Sequence, residues 1–222
     1  MSEASFEQLS GELRNAFNAD HFASTIVLAR KLLAGDPTHA PTLTQLGRAL
    51  FELANYDEAE IVLRQALEYW GDLRRELIYG ELGHLFKSRG DYETAAEWYR
   101  KAIDLSPDDA DGYIFLGAVL AKQGKLTEAE TTHRTATQCA DGCIDEAYHN
   151  LGLVLRGQGR FEESRECLVR ALELDPEYTA AQEALDDIQT AISYSSEGSL
   201  DQFPPIVVHG AGGRITEARL MP

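Results

Sequence analysis

Residues 76–107 read ELIYGELGHLFKSRGDYETAAEWYRKAIDLSP. From Glu76 to Ser88 the apolar residues Leu77, Ile78, Tyr79, Leu82, Leu85 and Phe86 recur with a helical period, and Arg89-Gly90-Asp91 interrupts them. A second helix starts at Tyr92 and carries Ala95, Ala96, Trp98, Tyr99, Ala102, Ile103 and Leu105. It stops before Pro107, which cannot continue a helix and drives Ser106 out of the helical region. Two helices and a sharp turn make one unit, and the unit recurs. The Leu82-Gly83 pair has counterparts at Leu46-Gly47, Leu116-Gly117 and Leu151-Gly152, at spacings of 36, 34 and 35 residues. Twelve residues after each glycine stands a small residue (Ala59, Ala95, Ala129, Ser164), and nineteen after it an alanine (Ala66, Ala102, Ala136, Ala171). Register inside a unit does not slip. The spare residues therefore fall in the connections between units, where loops accept insertions at little cost.

The same reading holds at residues 40–71, 110–141 and 145–176. A degenerate copy precedes them, with Phe6, Leu9 and Leu13 on its first helix and Phe22, Ile26, Ala29 and Leu32 on its second, closed by Pro37. Glycine inside a helix costs about 1 kcal/mol relative to alanine, so four at one phase need a compensating gain. Close approach of a neighbouring helix backbone is the expected gain, with the small residues as matching recesses. Tyr79, Tyr113 and Tyr148, and Phe22, Tyr56, Tyr92 and Phe161, read as the larger core knobs.

These residues bring the chain to a family. Leu82-Gly83, Phe86, Ala95, Tyr99, Ala102 and Pro107 resemble the tetratricopeptide repeat pattern, and the likeness covers about residues 6–193. The first unit departs from it, lacking the Leu-Gly pair and holding Thr25 where the family usually has alanine. The resemblance implies an all-α fold: a right-handed superhelical solenoid of antiparallel helix pairs, about five units, with a concave groove lined by first helices. Residues 179–193 carry Leu185, Ile188 and Ile192 on one face and acids on the other, as a solubilising cap does. The division expected is thus an array with its cap over 1–193 and a tail over 194–222. The tail reads as a Ser- and Gly-bearing linker, then either a short hairpin around Gly210-Ala211-Gly212-Gly213 or a loose terminus.

The chain has 222 residues, with 20 Lys and Arg against 37 Asp and Glu, a formal net charge of −17. Such a charge argues against phosphate backbones and anionic lipid, so neither nucleic acid nor membrane is an expected partner. No stretch approaches the roughly 20 apolar residues of a bilayer crossing. Glu3 and Glu7 stand where a secretory signal would be basic, and a cytoplasmic address is expected. The three cysteines, Cys139, Cys143 and Cys167, fit a reducing compartment better than a disulfide framework.

Chemistry leaves no mark. No set of nucleophile, base and oxyanion donors is readable, so an enzyme is not expected, and no cofactor is implied. Gly210-Ala211-Gly212-Gly213 lacks the lysine and hydroxyl residue of a phosphate loop. Cys139 and Cys143 flank a turn, but two ligands do not make a structural zinc site, and no metal is expected.

The groove is where function is expected. The residue after each Leu-Gly pair faces it, giving Arg48, His84, Ala118 and Leu153, with Arg14 matching in the first unit; Phe51 and Phe115 lie nearby, and His149, Asn150 and Arg156 extend the face. Basic side chains stacked inside an acidic molecule suit an acidic group on a ligand, so a peptide with an acidic end and an apolar middle is one expectation. Glu7, Glu52, Glu81, Asp111 and Glu146 share the face, and the alternative is a solvated ion-pair network. Chaperone-binding relatives hold a terminal carboxylate pair with lysines and asparagines on first helices. Here the lysine positions carry Glu7, Pro41, Leu77, Asp111 and Glu146, and the companion positions Gly11, Gln45, Glu81, Phe115 and Asn150. Only Asn150 matches, so that clamp is not expected. The reading that results is a non-enzymatic interaction scaffold for another protein. The alternatives are a small acidic chaperone for a secreted or aggregation-prone client, or a regulatory subunit of an enzyme complex. Self-association through Phe203 to Val208 is a further option.

Overall fold

Five helical hairpins follow one another along the chain, each packed on the next. The computed structural model describes residues 2–71 and 75–197, together with the backbone of two strands at 206–209 and 215–218. The hairpins are α1 (Glu3–Asn18) with α2 (Phe22–Leu33), α3 (Ala40–Glu52) with α4 (Tyr56–Tyr69), α5 (Arg75–Ser88) with α6 (Tyr92–Leu105), α7 (Ala110–Lys122) with α8 (Leu126–Ala136), and α9 (Ile144–Gly157) with α10 (Phe161–Leu174). A single helix, α11 (Thr179–Glu197), closes the series. Helices adjacent in sequence pack together, and first helices also meet the next first helix, α3 on α5 and α7 on α9. The array is thus the all-α solenoid of five hairpins and a terminal helix that the repeat implies.

The repeated glycines admit the neighbouring backbone, a Cβ on Gly47 or Gly152 standing 3.6 or 3.3 Å from the Ala59 or Ser164 carbonyl, and more tightly a side chain. Each makes room for a side chain sixteen residues later, on the second helix of its own hairpin. A Cβ on Gly47 would stand 2.6 Å from Leu63, one on Gly117 2.5 Å from the His133 ring, and one on Gly152 3.0 Å from Leu168; on Gly83 it would collide with Tyr99. The small residues close the same contact, Ala59, Ala95 and Ala129 being fully buried. Where the fifth unit has serine instead, Ser164 Oγ donates to the Gly152 carbonyl at 2.7 Å, which satisfies a hydroxyl that is also fully buried. Thr25 in the first unit is handled alike, donating to the His21 carbonyl at 3.1 Å.

One turn closes every hairpin. The N–H groups of His21, Asn55, Asp91, Lys125 and Arg160 reach carbonyls five residues back, at 2.9 to 3.0 Å. The residue before each sits at positive φ: Asp20 (55°), Ala54 (58°), Gly90 (79°), Gly124 (75°) and Gly159 (77°). This is the Schellman helix end, whose left-handed residue is normally glycine. Three units use glycine. The second uses alanine, whose Cβ costs on the order of 1 kcal/mol there. Ala54→Gly is therefore expected to raise the urea midpoint by the equivalent of about 1 kcal/mol, less the entropy glycine adds to the unfolded chain. A midpoint lowered by the full entropic cost of glycine, up to about 1 kcal/mol, would show that the turn carries no strain.

The longest connection between two helices, from α8 to α9, is tied back to the start of α7. Ala110 N–H donates to the Asp141 carbonyl at 3.0 Å, and Cys143 N–H to Asp111 Oδ1 at 3.1 Å. Gly142 takes φ +90° beside Asp109, where a Cβ would stand 2.5 Å from its carboxylate. At the C-terminal end α11 buries Ala181, Ala184, Leu185 and Ile188. It runs to Glu197, past the boundary expected at 194, because the helix continues through Tyr194 and two serines, which cost little in a helix. Beyond it β1 (Ile206–His209) pairs antiparallel with β2 (Ile215–Ala218), Ile206 opposite Ala218 and His209 opposite Ile215. The linker from 198, the Phe203-Pro204-Pro205 segment and the glycine-rich turn lie outside the described residues.

Candidate functional site

The expected groove residues are distributed along the first helices, and most are already engaged. Arg14 on α1 is exposed, with no ion pair among the described residues. Arg48 on α3 lies 4.8 Å over the Phe17 ring, and its Nε stands 2.9 Å from Glu81 Oε1 on α5. Phe51 is half-buried against the core, its ring 5.7 Å from Tyr56. Farther on, Asn150 Nδ2 reaches Glu146 Oε1 at 3.5 Å, and Arg156 Nη1 binds Asp187 on α11 at 2.9 Å.

The histidines are not cations. His84 Nδ1 and the Tyr99 hydroxyl share a hydrogen bond of 3.0 Å, and the Phe115 ring meets the imidazole edge-on at 4.5 Å. Burial, with Lys87 and Arg48 adding like charge, pulls His84 down to about 4, so it is neutral at pH 7. His149 repeats the arrangement, bonded to the Tyr178 hydroxyl at 3.1 Å and lowered by burial and by Arg156. Burial pushes the Tyr178 phenol up to about 12. The stack of basic side chains expected from the sequence is therefore corrected. Arg48 is paired with Glu81, one of the acids of the network alternative, Arg156 is paired instead with Asp187 on α11, and His84 and His149 carry no charge.

What the first helices do form is a cleft of about 160 Å³ between α5, α6 and α7. Its apolar floor is made of Leu77, Tyr99 and Phe115 beside His84, and Leu77 is 52% exposed. Its acidic lining is Glu76, Glu81, Asp109 and Asp111, with no lysine or arginine among the described residues that line it. Burial holds the Glu81 carboxyl above the usual range, with Arg48 drawing it down and Glu52 pushing it up. Asp109 and Asp111 accept one backbone N–H each, from Asp111 and Cys143. Glu76, in the first turn of α5, has no ion pair among the described residues.

The cleft was missed because its cause is a vacancy. Gly80 lies one helical turn before Gly83, and a Cβ there would meet nothing within 4 Å. A glycine outside the repeat register, on the expected groove face, was the available signal.

Sequence profiles described as TPR repeat and tetratricopeptide repeat match residues 16–70, 83–124 and 108–177. The chain belongs to the tetratricopeptide repeat family. Human Tetratricopeptide repeat protein 7A is 33% identical over 42% of this chain and 11% of its own length. Human Protein O-mannosyl-transferase TMTC1 is 29% identical over 62% of this chain and 15% of its own length. The chain therefore spans only 11% and 15% of these two relatives. Among solved structures, MamA superposes with a TM-score of 0.62 at 21% identity, covering 80% of this chain and 96% of that one. The C-terminal part of a TPR repeat-containing protein from Cytophaga hutchinsonii gives 0.70 at 17%, covering 85% and 73%. YrrB, described as a TPR protein with an unusual peptide-binding site, gives 0.59 at 20%, covering 78% and 87%. At these identities the likeness is one of fold. Leu77, Glu81, Asp111 and Phe115, which the family resemblance sets at the positions of a chaperone clamp, all line the cleft. Acids and apolar groups stand there in place of cations and amides.

Proposed function

We propose that this chain is a non-enzymatic interaction scaffold that holds a segment of a partner protein along the face of its first helices, with the α5–α7 cleft as the anchor point. One observation carries the reading: Leu77, a large apolar side chain that is 52% exposed, stands at a cleft on a face whose aromatic side chains are packed. Preorganisation supports it, since the floor side chains are fixed by the His84–Tyr99 bond and by ring contacts before any ligand arrives. The peptide-binding site named for YrrB is consistent with such a use of the fold. Among the described residues no helix is long and apolar enough to cross a membrane. The three cysteines are free thiols, which fits a reducing, cytoplasmic setting.

Gly80→Leu tests the reading. The new side chain enters open space and replaces a helix-weakening glycine, so stability should hold or rise while the cleft fills. A random 12-residue peptide library displayed on phage should yield binders to the intact chain, and Gly80→Leu should weaken them at least tenfold. Equal binding by the filled cleft, or no selected peptide, would overturn the assignment.

A further inference from the structure

We infer that the α5–α7 cleft takes a lysine or arginine side chain from the bound segment, an inference that rests on the groove reading above. The size comes first. At about 160 Å³ the cleft is smaller than the usual small-molecule pocket of roughly 300 to 1,000 Å³, and it suits one long side chain. Its two layers then match the two parts of such a side chain. Leu77 and Phe115 offer apolar surface to a methylene stem, while Glu76, Asp109 and Asp111, beside the Arg48-paired Glu81, line the same cleft and supply carboxylates for its charged head.

The charge balance is one-sided. Arg48 reaches the cleft only through Glu81, and its other face is spent on Phe17. Lys87 lies over the Phe115 ring at 5.9 Å but is not part of the lining. Along the same face burial raises Glu146, with Asp111 and Asp145 adding to the rise and Asn150 and Lys87 drawing it down. Carboxylates gathered in partly dry surroundings repel one another, and an incoming cation relieves that repulsion while making charge-assisted hydrogen bonds. An acidic segment would add to the repulsion.

The test sorts the same phage library on three proteins: the intact chain, Gly80→Leu, and the double variant Glu76→Gln, Asp111→Asn. The amides are isosteric, and asparagine at 111 keeps an acceptor for Cys143 N–H, so the double variant should fold as the parent does. The intact chain should enrich peptides carrying lysine or arginine at one position flanked by apolar residues. Synthetic copies should lose about tenfold in affinity on the double variant. They should also weaken when NaCl is raised from roughly 50 to 500 mM. Binders that lack a basic residue, or that bind the double variant undiminished, would overturn the cation assignment and leave the groove reading standing if Gly80→Leu still abolishes them. Enrichment of acidic peptides overturns it likewise. Binders indifferent to Gly80→Leu, or no binders, remove both.

Discussion

Leucine in place of His133 should stabilise the array by about 1 kcal/mol at pH 7 and about 3 kcal/mol at pH 5. His133 is 1% exposed, its ring fills the recess over Gly117, and its Nδ1 has no hydrogen-bond partner among the described residues. Leu63 and Leu168 hold the same recess over Gly47 and Gly152, so leucine is a shape this fold already accepts. The gain at neutral pH comes from removing an unpaired buried polar atom. The gain on acidification comes from proton linkage. Burial lowers His133 from 6.5 to about 4, so between those values the unfolded chain binds a proton that the folded chain refuses. Stability from this group is complete above pH 6.5 and drains as pH falls toward 4. Between pH 7 and 5 the loss is about 2 kcal/mol, at roughly 1.4 kcal/mol per unit.

Other groups titrate in the same range, and the variant separates them. His84 and His149 are lowered and act with the same sign. Glu81 and Glu146 are raised by burial, so protonating them on acidification favours the folded chain and opposes the histidines. Glu60 and Glu130, lowered by their arginine partners, cost stability only below their usual 4.5. Urea midpoints at pH 7 and 5 for the parent and His133→Leu supply the measurement. Parallel pH dependence in the two proteins would show that His133 is not a buried neutral group in solution.

Much of this architecture is legible in the sequence because it rests on short-range packing rules. Hairpin register follows from Leu-Gly pairs and from small residues twelve and nineteen positions on, since each of the last four hairpins closes over its own glycine. Even the recess-filling side chains follow a fixed interval, sixteen residues, although their variety, Leu63, Tyr99, His133 and Leu168, hides it from inspection. The candidate site was much less legible. Arg48 and Glu81 are far apart in sequence and meet only because α3 packs on α5, so a cation by composition becomes half of an ion pair. His84 looks basic until its contact with Tyr99 and Phe115 removes it from water. A cleft is legible only as something missing, and Gly80 is indistinguishable by type from the structural glycines around it.

Those glycines give the second large effect, because three alanine substitutions on similar helices should fall in a fixed order. At Gly80 a methyl group meets open space, so Gly80→Ala should stabilise by about 1 kcal/mol, the helix-propensity gain alone. At Gly152 the new Cβ would stand 3.0 to 3.1 Å from the Leu168 side chain, which can give by a few tenths of an ångström, and 3.3 Å from the Ser164 carbonyl. Propensity and crowding then nearly cancel, and the change should lie within about 1 kcal/mol of zero. At Gly83 the Cβ would press into the ring of Tyr99, which is fully buried, bonded to His84 and 5.6 Å from the Phe115 ring. A rigid ring held on three sides cannot step aside, so overpacking of about 3 kcal/mol outweighs the propensity gain and leaves a net loss of about 2 kcal/mol. Tyr99 and Phe115 are also the floor of the cleft, so peptide affinity should fall with stability in Gly83→Ala and remain in Gly152→Ala. Thermal or urea unfolding of the three variants, paired with binding of one selected peptide, decides the matter. If Gly83→Ala proves as stable as the parent, the glycine recess is not what fixes the register of the hairpin, and the close packing assigned to the last four units fails with it.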